Sequence, residues 1–160
     1  MSDTLEAMTR WKYNLYDNRP MMLAEQILSQ SIANSTFVTV SFSSTIYDNY
    51  GAFSGTNTYT VPLAGTYRVG ASVQWTGNAT PARAIRLMRN GSSAMFSTTN
   101  DNCSASITTS SLVSTLVPCS VGDTLIIQVD QNSGAALSTQ AGTAGGIAYN
   151  SWFGLTWICP

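Results

Sequence analysis

The sequence predicts an all-β fold: a sandwich or jelly roll of roughly eight to ten short strands behind a short N-terminal arm or helix. Three observations carry this. Apolar residues from Met21 onward come in short runs, several of them alternating with polar residues. Each run is followed by Gly, Pro, Asn or Asp in turn-forming combinations. Helical spacing is confined to the first twenty residues.

Residues 1–20 stand apart from residues 21–160, which form the jelly-roll domain. Leu5, Met8, Trp11 (or the stem of Lys12) and Leu15 come close to helical spacing. Asp3 and Glu6 have the spacing of a capping box, and Asp17-Asn18-Arg19-Pro20 is a stop. Trp11, Tyr13 and Leu15 also alternate, so an extended arm is the other reading. In either form the segment is too short to fold alone and must dock, on its own domain or on another protein. Trp11, Tyr13, Leu15 and Tyr16 are the anchor candidates, because buried aromatics dominate interfaces.

Met21 to Leu28 reads as a strand. Val38, Val40 and Phe42 alternate with Thr39 and Ser41, and Asp48-Asn49-Tyr50-Gly51 is a turn. Pro62 and Gly65 bracket a tight turn. Tyr67, Val69, Ala71, Val73 and Trp75 then point one way, and Arg68, Gly70, Ser72 and Gln74 the other. That is a strand with one buried face. Residues 77–81 form a loop, and Arg83 to Met88 is a strand ended by Asn90-Gly91, a hairpin dipeptide. Ser104 to Val117 carries Leu112, Val113, Leu116 and Val117 on both faces, which marks one side for another subunit. Leu125, Ile127 and Val129 alternate, with Ile126 opposite them. Leu112, Val113, Leu116, Val117 and Ile126 are therefore the candidates for an intersubunit interface. Phe153, Leu155 and Trp157 share a face of the closing strand and join the core.

The composition narrows the function. Hydrophobic residues make up 44% of the 160 residues and charged ones 9%, against about 25% in a typical domain. The formal net charge is −1. A hydrogen-bonding, nearly uncharged surface favours association. No basic stripe is present for nucleic acid, and Arg83, Arg86 and Arg89 read as a solvated strand face or intersubunit pairs. No apolar run is long enough to span a membrane as a helix. The first residues lack a signal-peptide pattern, so synthesis is expected in a cytoplasm. Histidine is absent, which removes Ser-His-Asp and Cys-His catalysis. Asp48, Asp101 and Asp123 sit at turn-like positions, so no catalytic carboxylate pair is expected, nor a metal or cofactor. Cys103, Cys119 and Cys159 match no zinc spacing; free thiols are expected, with a Cys103–Cys119 bridge as the alternative.

Several segments carry a resemblance. Asp48-Asn49-x-Gly51-x-Phe53, followed by Tyr59-x-x-Pro62-x-x-Gly65-x-Tyr67-x-Val69-x-Ala71, is similar to the signature of the complement component 1q globular domain, within the tumour-necrosis-factor-like jelly rolls. Arg86-Leu87-x-Arg89-Asn90-Gly91, Val121 to Leu125 and Trp152-Phe153-Gly154-Leu155 fit the same pattern. The resemblance spans about residues 21–160. It implies a ten-stranded jelly roll, a tight homotrimer, and chain termini near one end. Gln30 to Phe42, leading into Tyr47-Asp48-Asn49-Tyr50-Gly51, further resembles the form found in virion proteins of tailed bacteriophages.

The function expected from this resemblance is a non-enzymatic structural virion protein. It would be a trimeric decoration on the outside of a bacteriophage capsid, held to the major capsid protein or another virion protein by the N-terminal arm. One alternative is a minor tail protein or fibre tip binding host surface glycan, with Trp75 or Tyr50 as the aromatic platform. Another is a bacterial or spore-surface jelly roll.

Overall fold

The computed structural model describes residues 18–80, 82–100, 109–142 and 151–160. Among these, thirteen strands follow in chain order: β1 (Met21–Gln26), β2 (Ser31–Ile32), β3 (Val38–Thr39), β4 (Ser44–Asp48), β5 (Phe53–Ser54), β6 (Thr58–Thr60), β7 (Gly65–Trp75), β8 (Arg83–Arg89), β9 (Ser93–Asn100), β10 (Thr109–Cys119), β11 (Thr124–Gln131), β12 (Leu137–Ser138) and β13 (Ser151–Cys159). They form an all-β jelly-roll sandwich. One sheet has the order β10-β7-β13-β1-β4; the other has β5-β6-β11-β8-β9, with β3 also pairing β11. Strands β2 and β12 pair separately. All pairings are antiparallel.

The alternation in β7 decides which side chains enter the sandwich. Tyr67, Val69, Ala71, Val73 and Trp75 are all buried, and so are Phe153, Leu155 and Trp157 of the neighbouring β13. Val40, Phe42, Ile85, Leu87, Leu125, Ile127 and Val129 meet them from the other layer and its connections. Phe153 sits between Phe42 and Phe53, with ring centroids 5.7 and 6.1 Å away. Tyr67 is edge-on to Tyr59 at 6.3 Å. A large side chain buried this way stabilises the fold by about 1.5–3 kcal/mol.

The turns fix the register. Asn90 and Gly91 both take positive φ, 54° and 68°, as a short β-hairpin requires. Gly65, at φ 142°, starts β7 where a Cβ would collide with the Cys159 carbonyl and the Trp157 indole nitrogen. Only glycine fits there. The loop before it is tied down by two aromatic side chains. The Tyr67 hydroxyl donates to the Leu63 carbonyl at 2.7 Å, and Trp157 Nε1 donates to the Ala64 carbonyl at 3.1 Å.

Six strands, β2, β4, β5, β6, β9 and β12, have no counterpart among the runs read from the sequence. Strand β9 is Ser- and Thr-rich, and β4 leads straight into the Asp48 turn. Strand β10 runs to Cys119, two residues past the expected end at Val117; residues 104–108 of the expected strand lie outside the described residues. The expected arm or helix and its anchors Trp11, Tyr13, Leu15 and Tyr16 lie outside the described residues, as does Cys103.

Candidate functional site

Strand β10 is an edge strand, hydrogen-bonded to β7 on one side within its sheet. Its period-two geometry separates the apolar residues that the sequence groups together. Val113 and Val117 point into the sandwich and are buried, whereas Leu112 and Leu116 point outward and are 54% and 61% exposed. This corrects the expected interface: Val113 and Val117 are core residues, because residues two apart share a face. Ile126 is half-buried and lies on β11, in the other sheet, so it cannot join Leu112 and Leu116 in one patch.

The outer face that carries Leu112 and Leu116 continues across the whole five-stranded sheet. Register places Ser114, Gly70, Gly154, Leu23 and Tyr47 in one row across β10, β7, β13, β1 and β4. In the next row, Leu112 and Trp152 flank Ser72. Gly70 and Gly154 lie side by side without side chains and floor a groove of about 270 Å³, lined also by Arg68, Ser114, Trp152 and Thr156. Neither glycine has a positive φ, so the close approach of neighbouring side chains, not backbone strain, accounts for them. A Cβ on Gly70 would stand 3.1 Å from the Trp152 ring, and one on Gly154 3.1 Å from the Leu23 methyl. At the far edge, Ile46 and Tyr47 of β4 are exposed. Apolar side chains thus mark both edges of this face, with a groove between them.

The other outer face is closed by its own contacts. Arg86 donates from Nε and Nη2 to Gln128 Oε1 at 2.9 and 2.7 Å, and its guanidinium lies 3.6 Å from the centre of the Phe37 ring. Gln128 Nε2 donates to Thr39 Oγ1 at 3.3 Å. Arg89 donates to the Pro118 carbonyl at 2.6 Å and stands 4.0 Å from Asp123. Arg83 overturns the expectation of a solvated cation. It is buried beside Trp75, 5.7 Å from the ring, and donates to the Thr80 and Ala82 carbonyls. The three arginines therefore form no free basic cluster.

Several other polar groups serve the fold. Asp48 accepts from the backbone N–H groups of Tyr50 and Phe53, at 3.3 and 2.8 Å. Asp123 accepts from Asn90 Nδ2 and the Ser120 N–H, and these bonds hold its carboxyl below the usual carboxylate range. Burial pushes the Cys119 thiol up to about 11 and the Tyr67 phenol up to about 12. Cys119 and Cys159 carry free thiols, the first buried and the second exposed. Trp75 is fully buried, with Nε1 donating to Ser111 Oγ at 3.2 Å, so it cannot be a glycan platform. The Tyr50 hydroxyl is occupied by the Asn18 carbonyl at 2.7 Å. Among the described residues no three His, Cys, Asp or Glu side chains converge as a metal site would require.

No family model and no curated protein matches this chain in sequence. Solved structures match its fold. The globular domain of zebrafish complement 1qA protein superposes with a TM-score of 0.63 at 15% identity, covering 87% of this chain and 97% of that one. Murine APRIL at pH 5.0 gives a TM-score of 0.68 at 10% identity, covering 88% and 100%. Eiger TNF from S. frugiperda gives 0.56 at 14% identity, covering 88% and 94%. The fold is therefore the jelly roll shared by the complement 1q globular domain and the tumour-necrosis-factor-like proteins.

Proposed function

We propose that this protein is a non-enzymatic structural module that self-associates as a homotrimer through the outer face of its five-stranded sheet. The observation that carries the reading is the pairing of an apolar edge, Leu112 and Leu116, with an unfilled groove beside Trp152 on the same face. The two features differ in shape, so one protomer's edge meets its neighbour's face. Such a heterologous contact closes into a ring when the rotation allows, and a threefold ring is the smallest that it closes beyond a pair. Burying two leucines at each contact supplies roughly 3–6 kcal/mol before the cost of association. Equilibrium sedimentation tests this: a mass three times that of the chain supports the reading, and a monomer at micromolar concentration overturns it.

The finer reading is that the trimer decorates the outside of a bacteriophage capsid, anchored by residues 1–20. It is supported by the resemblance of Gln30–Phe42 and Tyr47–Gly51 to phage virion segments and by the anchor-type residues Trp11, Tyr13, Leu15 and Tyr16. Counting copies of the chain against the major shell protein in purified particles tests it. Hundreds of copies support a decoration. A handful favours a tail tip, and none removes the virion role.

A further inference from the structure

We infer that the four edges of the two large sheets are closed against strand addition, and that on β10 the closure is made by Thr98, Arg89 and Pro118. Without those caps a second copy would pair with β10, strand to strand. The inference stands apart from the trimer reading above, because it concerns sheet edges and not the outer face.

A sheet edge presents unpaired N–H and C=O groups that a further strand can extend. The two large sheets end in four edge strands, β10 and β4 in one, β5 and β9 in the other. Three of these are short or interrupted. Strand β5 has two residues. In β4 the register against β1 shifts between Leu23 and Ala24, which leaves Ile46 as an extra, unpaired residue. In β9 the register against β8 shifts between Leu87 and Met88, and Met95 is the extra residue. A bulge of this kind bends the strand and breaks the regularity of its edge.

Strand β10 has neither defence. It pairs with β7 over eleven residues, Thr109 to Cys119, without a shift of register. Its backbone groups point alternately to β7 and to the free edge. The Val113 carbonyl lies on the β7 side, 3.7 Å from where a Cβ on Gly70 would stand. The carbonyls of Leu112, Ser114, Leu116 and Pro118 therefore face the free edge. Thr98 Oγ1 donates to the Leu112 carbonyl at 2.5 Å, and Arg89 Nη1 to the Pro118 carbonyl at 2.6 Å. Thr115 Oγ1 donates to the Leu116 carbonyl at 3.4 Å. Pro118 has no N–H to offer, and proline within a sheet belongs on an edge. Of these four carbonyls, only that of Ser114 has no donor among the described residues. One open residue cannot hold an added strand.

The strand that fits an opened β10 is β10 of a second copy. Antiparallel pairing centred on Ser114 is two-fold symmetric and closes on itself. It also sets the exposed Leu112 of one copy opposite the exposed Leu116 of the other, a favourable cross-strand pair.

The test compares the full chain with its Thr98→Val, Arg89→Ala double variant at one concentration, by equilibrium sedimentation and by amide hydrogen exchange. Removing the caps is expected to raise the mass at least about twofold and to slow exchange of the Ser114 amide about tenfold. Arg89 also stands beside Asp123, so Thr98→Val is measured alone as well. It deletes one hydroxyl, keeps the side-chain shape, and carries a smaller shift in the same direction. Unchanged mass and unchanged Ser114 exchange in Thr98→Val and in the folded double variant overturn the inference. A larger mass without protection at Ser114 overturns it too, because the copies then meet elsewhere. The mass of the unaltered chain in the same run tests the trimer reading separately.

Discussion

On the outer face of the six-stranded sheet, Arg86 lies over Phe37 and donates twice to Gln128, which in turn donates to Thr39. On the outer face of the five-stranded sheet, Leu112, Leu116, Ile46 and Tyr47 face solvent around a groove floored by two glycines. Both faces are built by the same strand alternation over one shared core. The difference lies in completion. The first face engages Arg86 and Gln128 with partners of its own, whereas the second leaves apolar area that a protein surface of another copy would cover. Unpartnered apolar area of this kind marks interaction surfaces.

Breaking the shared core should remove both faces together. Tyr67→Ser leaves a cavity under Tyr59 and deletes the bond to Leu63, at a cost of roughly 3–5 kcal/mol. Against a total of about 5–15 kcal/mol, that is a large share of the stability, and loss of soluble folded protein is the expected outcome. A soluble, normally assembled Tyr67→Ser protein would sink this placement of the core. Leu116→Asp should separate the faces. It is expected to weaken self-association by about one to two orders of magnitude, as buried leucine implies, with the melting temperature of the isolated chain unchanged. Gln128→Ala on the opposite face should leave the assembled mass as it was. Equal loss from both substitutions would erase the distinction.

Smaller changes sharpen it. Gly70→Ala pushes a methyl group against the Trp152 ring and should cost about 1 kcal/mol in stability, with weaker assembly as the groove fills. Arg86→Ala should cost about 1–2 kcal/mol through its lost bonds to Gln128 and leave assembly intact. The smallest effect is a pH dependence at the Asn90–Asp123 turn. The folded Asp123 carboxyl titrates below its unfolded value, chiefly through its bond from Asn90. Its contribution is therefore full above the ordinary carboxylate range and is lost as pH falls through the folded value. Asp123→Asn should flatten that acid limb of a stability-against-pH curve.

Much of the sandwich is readable because burial has period two. Tyr67 to Trp75 show polar and apolar residues in strict alternation, and each apolar one is buried. The same rule applied to β8 places Arg83 in phase with Ile85 and Leu87, which was the available sign that its side chain enters the core. The charge of Arg83 argues the other way, because arginine is seldom fully buried. Strand β10 offered no such sign, because Leu112, Val113, Leu116 and Val117 give no contrast between its faces. Strand β9 gives no alternation either, because Ala94, Met95 and Phe96 are consecutive and Ser, Thr and Asn fill the rest.

The sequence by itself determined the class of fold, the position of its best-patterned strands and the turns that demand glycine or Asn-Gly. These follow from local rules: side-chain alternation, and the sign of φ at single residues. Tertiary structure alone decided which leucines are free, that Gly70 and Gly154 make one groove, and that Trp75 is sealed beside Arg83. Those facts depend on register between strands far apart in the chain, and no local pattern carries the identity of a residue's neighbour across a sheet.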